Sequence, residues 1–392
     1  YRIPDKDWFR IHFVRPRFKS NIENVLLYMA NECCRIPKCS CCEYSKRYYN
    51  AIKMFPGNID MKKKTLDNWR TEIPALFGFY TEDKKSDVTE TSSMATFLHE
   101  NQDLTQFLRI FLYSFQFPGG HMKGKDVKEI IEHGIKFKPA RTIIQVLMAG
   151  NKILNDNGTE KEMSLSAEEA TYCIFNDLRV TTAKVSAEDV AKVILENRKQ
   201  RVKYYNPQDI QSYSLTGTAR TKGDMTRYAG DILDYMEIAN LLIKRNGYFY
   251  LKGNELVALK TFADDNTWFN GYDSIYGKKG LVTADISKIE PAWFDYVQDS
   301  MKPDLFKSDI KTILANTGEV DVVVETRIKD VVTSGDRTTK DIGNLGEALI
   351  CGHEKMRLKI NGYDEFVRLV QIVDSPSYHP GFDIDSFEGD GT

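Results

Sequence analysis

The chain has no apolar run approaching the roughly 18–20 residues that a membrane-spanning helix needs. Its opening, YRIPDKDWFRIHF, lacks the charged-then-apolar layout of a signal peptide. A cytoplasmic protein is therefore expected. Low-complexity tracts are also missing, and no internal repeat stands out beyond two similar helix–hairpin stretches. The cysteines lack a second CxxC or a nearby HxxxH. Five of the seven lie within ten residues, Cys33, Cys34, Cys39, Cys41 and Cys42. A zinc ion held by Cys34, Cys39 and Cys42 would want a fourth ligand that the spacing does not supply, so reduced thiols at a helix end are expected, with zinc as the alternative.

What is present describes a folded, multidomain chain. At 392 residues, with 42% apolar, 11% aromatic and 28% charged residues, it exceeds the usual domain size of roughly 100–200 residues, so several cores are expected. The net charge of −2 conceals a lopsided distribution. Residues 1–70 hold 15 Lys/Arg against 7 Asp/Glu, and residues 341–392 hold 4 against 10. Cations can grip phosphates and carboxylates can hold a divalent metal, so a basic start with an acidic end suits a protein that handles nucleic acid.

The aromatic and basic opening, DWFRIHFVRPRFKSN, precedes an apolar-periodic stretch that suits a helix capped by Ser20 or Asn21. A second helix in IDMKKKTLDNWRTEIPALFGFY is expected to end at Pro74, followed by a hairpin near residue 79. Leu104, Phe107, Leu108, Phe111, Leu112 and Phe115 recur at helical spacing up to Pro118, a stripe that belongs in a core. Ser166 with Glu169, and Ser186 with Asp189, carry capping-box spacing. A helix from about Asp224 then runs into LLIKRNGYFYL, where Asn246-Gly247 is a strong hairpin signal. Helix followed by hairpin, twice, is the order of winged-helix modules.

In such modules a helix can enter the major groove with its N-terminal end leading, so cations before and at that end meet phosphates and bases. The candidate DNA contacts are Arg10, Arg15, Arg17 and Lys19 in the opening, Arg198, Arg201 and Lys203 in a second cluster, and Arg220, Lys222 and Arg227 at the later helix. Tyr204 and Tyr205 are available to pack on sugar or base. A solvated helix face is the plainer reading of each cluster.

Residues 340–392 carry the chemistry. GNLGEALICGHEKMRLK reads as a helix with Glu347 near its start, FVRLVQIVD as a strand, and PGFDIDSF as a second strand bearing Asp383. Phosphodiester hydrolysis needs a nucleophile generated near neutral pH and a stabilised oxyanion, which Mg²⁺ held by converging carboxylates supplies. Glu347 and Asp383 are the candidates for two such carboxylates. Glu388 and Asp390 sit in an expected turn, EGDG, where acidic residues are ordinary.

This GxxGE helix followed by GFDIDSF resembles the C-terminal nuclease-like domain of plant NO VEIN-type proteins and bacterial defence proteins, within the PD-(D/E)xK nucleases. The resemblance implies that Asp383 ligates metal, that Glu347 assists, and that a further strand brings a Glu-x-Lys pair. No such pair follows Asp383 before Thr392, so an incomplete centre is expected. The preceding residues resemble, more loosely, the N-terminal part of type IIS restriction and nicking endonucleases of the AlwI kind. The resulting expectation is a multidomain α+β protein of the bacterial cytoplasm. Residues 1–120 and 121–260 would be helical, winged-helix-like DNA-recognition subdomains, 261–336 a helical linker domain, and 337–392 the start of an α/β restriction-endonuclease-like domain. Its partner would be double-stranded DNA, its cofactor Mg²⁺, with transient pairing of nuclease domains for double-strand cutting. A DNA-binding specificity subunit without nuclease activity, and a protein-interaction scaffold, are the competing readings.

Overall fold

Local sequence signals set most element boundaries. In the computed structural model, residues 1–14, 16, 21–83, 85–159, 161–204 and 222–299 are described, with scattered positions between 346 and 386. Asn21 precedes helix α1 (Ile22–Arg35), and Ser40 caps α2 (Cys41–Met54) by accepting from the Glu43 amide at 3.3 Å. Helix α3 (Lys63–Phe77) does not end at Pro74. It continues one turn to Gly78, which takes the left-handed conformation at φ 67° and satisfies the Pro74 carbonyl. Proline removes one amide bond and crowds one carbonyl, and near a helix end both are tolerated. The expected hairpin follows as β1 (Tyr80–Asp83) and β2 (Val88–Thr91), paired antiparallel from Tyr80↔Thr91 to Asp83↔Val88.

Next come α4 (Ser93–Asn101), α5 (Leu104–Ser114), α6 (Gly124–Glu132) and α7 (Pro139–Asp156). Strand β3 (Ser164–Ser166) leads into α8 (Ala167–Ala170), a π turn, α9 (Leu178–Thr181) and α10 (Ala187–Lys199). Helix α11 (Lys222–Ile238) feeds the second expected hairpin, β4 (Leu242–Arg245) and β5 (Tyr248–Leu251). Asn246 and Gly247 both have positive φ, 51° and 80°, the geometry that a two-residue hairpin turn demands and that Asn-Gly adopts at least cost. Strand β3 adds to β5, giving the order β3-β5-β4. Helices α12 (Leu256–Ala263), α13 (Thr283–Ser287) and α14 (Glu290–Asp299) follow. Among the described residues no helix is long and apolar enough to cross a membrane.

The expected boundaries at 120 and 260 fall inside one body. Backbone contacts divide the chain into residues 1–307 and 308–392. In the first, one hydrophobic cluster runs from Ile11 to Val297. An aromatic seam explains the continuity: Phe77 of α3 meets Phe111 of α5 at 4.9 Å and Tyr235 of α11 at 5.9 Å. Each such pair adds about 0.5–1.5 kcal/mol beyond area burial. Buried Arg109 of α5 reinforces the seam by donating to the Ala239 carbonyl at 2.8 Å and pairing with Glu255 at 3.0 Å. Residues 261–299, within the stretch 261–336 expected to be a separate linker domain, place Phe262, Phe269, Tyr272 and Trp293 in the same interior.

In the second body Gly346, Glu347, Ile350, Cys351 and Leu358 are helical. Strands β6 (Gln371–Ile372) and β7 (Ile384–Asp385) lie within the two stretches expected to be strands and pair antiparallel, and Cys351, Leu358 and Val370 pack with Val367 and Ile384.

Candidate nucleic-acid interface

Helix α3 opens on three consecutive cations. Lys62 holds the N-cap position, Lys63 and Lys64 form the first turn, and no acidic residue occupies that turn. All three are exposed, and none takes part in an ion pair among the described residues. The helix sits as it does because Leu66, Trp69, Ile73 and Phe77 bury one face, which leaves Lys63, Lys64 and Asn68 on the solvent side. Next in the chain is the β1–β2 hairpin, whose turn keeps its own acids occupied. The Asp83 carboxylate accepts from Ser86 Oγ at 2.6 Å and the Lys85 amide at 2.9 Å, bonds that hold its pKa below the ordinary value. The Asp87 carboxylate accepts from the Cys41 amide at 3.2 Å.

These lysines were not among the residues that sequence reasoning singled out. A signal was available: three lysines abutting the apolar period that starts at Leu66, ahead of a hairpin.

The second helix–hairpin segment treats its cations differently. The Ser166 capping box forms as expected, with the Glu169 amide donating to Ser166 Oγ at 3.1 Å and the Ser166 amide donating to Glu169 Oε2 at 2.8 Å. Glu169 is buried, and Arg198 closes over it: Nε reaches Glu169 Oε1 at 2.6 Å and Nη2 reaches Oε2 at 2.7 Å and the Ser164 carbonyl at 2.9 Å. A forked carboxylate pair with an extra carbonyl consumes most of the guanidinium's donors. Arg198 is thus tied to the protein, with its charge met by Glu169. Arg201, in the left-handed region at φ 53°, and Lys203 remain exposed without an ion pair among the described residues. With half-exposed Tyr248 they border an open groove of about 670 Å³. Tyr204, available from the sequence to pack on sugar or base, lines this groove and stacks on Tyr172 at 5.9 Å, and burial raises its pKa.

Arg10 also turns inward. Only 4% exposed, it lays its guanidinium 5.3 Å from the centre of the Tyr228 ring, against which Phe13 also packs at 5.2 Å. Arg227 is half-buried on α11, and Lys222 is that helix's first residue. Arg15, Arg17, Lys19, Tyr205 and Arg220 lie outside the described residues, as does Asp383. Glu347 is half-buried on its helix. The cysteines are free thiols: Cys34 on α1 is pushed up in pKa by burial, Cys39 bridges Thr89, and Cys42 is exposed on α2. Among the described residues no three His, Cys, Asp or Glu converge in a group that could hold a metal ion.

Comparison with known proteins adds the family. No curated protein matches the chain. A solved structure of the BpuJ1 endonuclease binding domain in complex with pyrene- and phenanthrene-modified DNA superposes with a TM-score of 0.60 at 26% identity, covering 74% of this chain and 98% of that one. The model of the family described as restriction endonuclease BpuJI, N terminal, matches residues 1–294, three quarters of the length. The chain described here is thus a member of the family of the N-terminal part of the restriction endonuclease BpuJI.

Proposed function

We propose that this chain reads a specific short sequence in duplex DNA as the recognition part of a restriction endonuclease. The observation that carries the reading is the exposed run Lys62, Lys63 and Lys64, unpaired among the described residues, at the start of a helix that leads into a hairpin. That is the arrangement in which phosphate contacts fix a winged-helix module on DNA. The DNA-bound relative supports it. Both helix–hairpin segments fit the winged-helix order, with a short bridging strand completing each hairpin: Cys39 against Thr89 in the first, β3 against β5 in the second. Phosphate contacts from the first segment and the Arg201–Lys203 groove would set the register, and base edges would supply specificity.

Selection from a random duplex library tests this directly. A recovered consensus bound about 1,000-fold or more tightly than scrambled duplex is expected. Equal affinity for all sequences would overturn it.

The finer proposal is that DNA is hydrolysed by the C-terminal residues with Mg²⁺, Glu347 and Asp383 serving as carboxylates of a PD-(D/E)xK centre. When bound, the ion would supply Lewis acidity toward a phosphate oxygen and an activated water. Among the described residues no three His, Cys, Asp or Glu converge to hold it. Plasmid incubated with the protein and Mg²⁺ should give discrete fragments, and Asp383→Asn should abolish cutting while leaving sequence-specific binding intact. Random degradation, or an intact plasmid, would remove the cutting half of the proposal.

A further inference from the structure

One concavity gathers cations without gathering carboxylates. It measures about 460 Å³ and forms where the start of α7, the α9–α10 connection and residues 266–268 meet. Lys136, Lys138, Arg141, Asn266 and Trp268 line it, and no Asp or Glu does. Two of its three cations are already matched from behind. Lys136 Nζ lies 2.9 Å from Asp273. Lys138, buried, is paired with buried Asp265 and donates to the Thr267 carbonyl and hydroxyl at 3.1 Å each.

Arg141 is the unmatched charge. It is half-buried, makes no ion pair among the described residues, and its Nε has no acceptor. The indole N–H of Trp268 also finds no acceptor among the described residues. A partly desolvated guanidinium without a counter-charge is costly, and its field reaches its neighbour. The Lys138 ammonium is held below its ordinary pKa by burial first, and the charge of Arg141 adds to that depression. Val180 and Val185 give the concavity an apolar wall. Its volume lies within the roughly 300–1,000 Å³ of small-molecule sites.

We propose that this concavity binds the phosphate of a nucleotide, with Arg141 as its principal cation and the Trp268 ring beside the base. The phosphate is that of a free nucleotide or of bound DNA; the shared chemistry is its contact with Arg141, and the Trp268 ring meets a base in the free case. None of Lys62–Lys64, Arg201 or Lys203 lines this site. Its failure would leave the DNA reading of those residues standing.

The test uses the full chain, calorimetry and tryptophan fluorescence, with AMP and inorganic phosphate as probes and duplex DNA in a separate arm. Saturable AMP binding is expected, weakened about tenfold or more by Arg141→Met and less by Arg141→Lys, with phosphate alone binding more weakly. Exposed Asn266→Asp sets a negative charge at the rim without disturbing the interior, and it should weaken AMP as well. Unchanged thermal melting of each variant guards against misfolding. If AMP fails to bind but both variants weaken duplex binding and reduce its salt dependence by about one phosphate, the nucleotide belongs to DNA. Nucleotide or duplex binding indifferent to Arg141→Met and Asn266→Asp, or no binding of either kind, overturns the proposal.

Discussion

Residues 22–91 and 139–251 share one layout and differ in how one set of helix-end cations is met. In both, helices lead into a hairpin that a short upstream stretch pairs with. The first leaves Lys62, Lys63 and Lys64 in solvent without an ion pair among the described residues, whereas the second folds Arg198 onto buried Glu169. A count of cations would rank the two alike. What distinguishes Arg198 from the three lysines is a buried carboxylate lying opposite it, 29 residues earlier in the chain.

The sharpest way to break this contrast is Glu169→Ala. It strips Arg198 of its counter-charge and opens the α8 capping box, so stability to urea should fall by about 3 kcal/mol. A wild-type midpoint would mean that Arg198 behaves as a surface charge after all. The converse change, Lys62, Lys63 and Lys64 all to Gln, should leave the midpoint alone and weaken duplex binding by about 30-fold, with the salt slope falling by roughly 2–3 units. An unaltered slope would deny these lysines any phosphate.

A third test addresses the interior that the two segments share. His121 is fully buried, 4.3 Å from the Phe115 ring and 5.7 Å from Trp293, and burial lowers its pKa to about 3. A depressed folded pKa means that the unfolded chain takes up the proton first. Stability is therefore whole above about pH 6.5 and declines as pH falls from there toward 3, by about 2 kcal/mol at pH 5. His121→Phe should remove that part of the slope between pH 7 and pH 5, and an identical slope in both proteins would refute the assignment. The smallest effect compares two helix starts. Ser186→Ala deletes a cap that accepts from the Asp189 amide at 3.1 Å and should cost about 1 kcal/mol, while Asn21, which makes no side-chain cap bond, should tolerate Ala with little change.

Signals carried by adjacent residues were legible in the sequence. Asn246-Gly247 marked its hairpin, Ser166 and Ser186 their helices, and the stripe from Leu104 to Phe115 its place in the core. Strands β6 and β7 lie where alternation placed them. What sequence alone could not show was contact between distant residues. Arg10 reads as a phosphate ligand until Tyr228 covers it, and the boundaries at 120 and 260 vanish because Phe77, Phe111 and Tyr235 share one seam. Pro74 was overruled by the burial of Leu76 and Phe77 beyond it.

That seam limits how such a protein can be re-engineered. A recognition module joined to its neighbour by a polar linker can be exchanged like a cartridge. Here α5 and α11 close a common interior, and cutting between the segments would lay Phe77, Phe107, Phe111 and Tyr235 open to water. New sequence preference would have to be introduced by substituting outward-facing residues such as Lys64, Asn68 and Arg201 one at a time on an intact scaffold, since a half taken from a relative would bring the wrong partner surface with it.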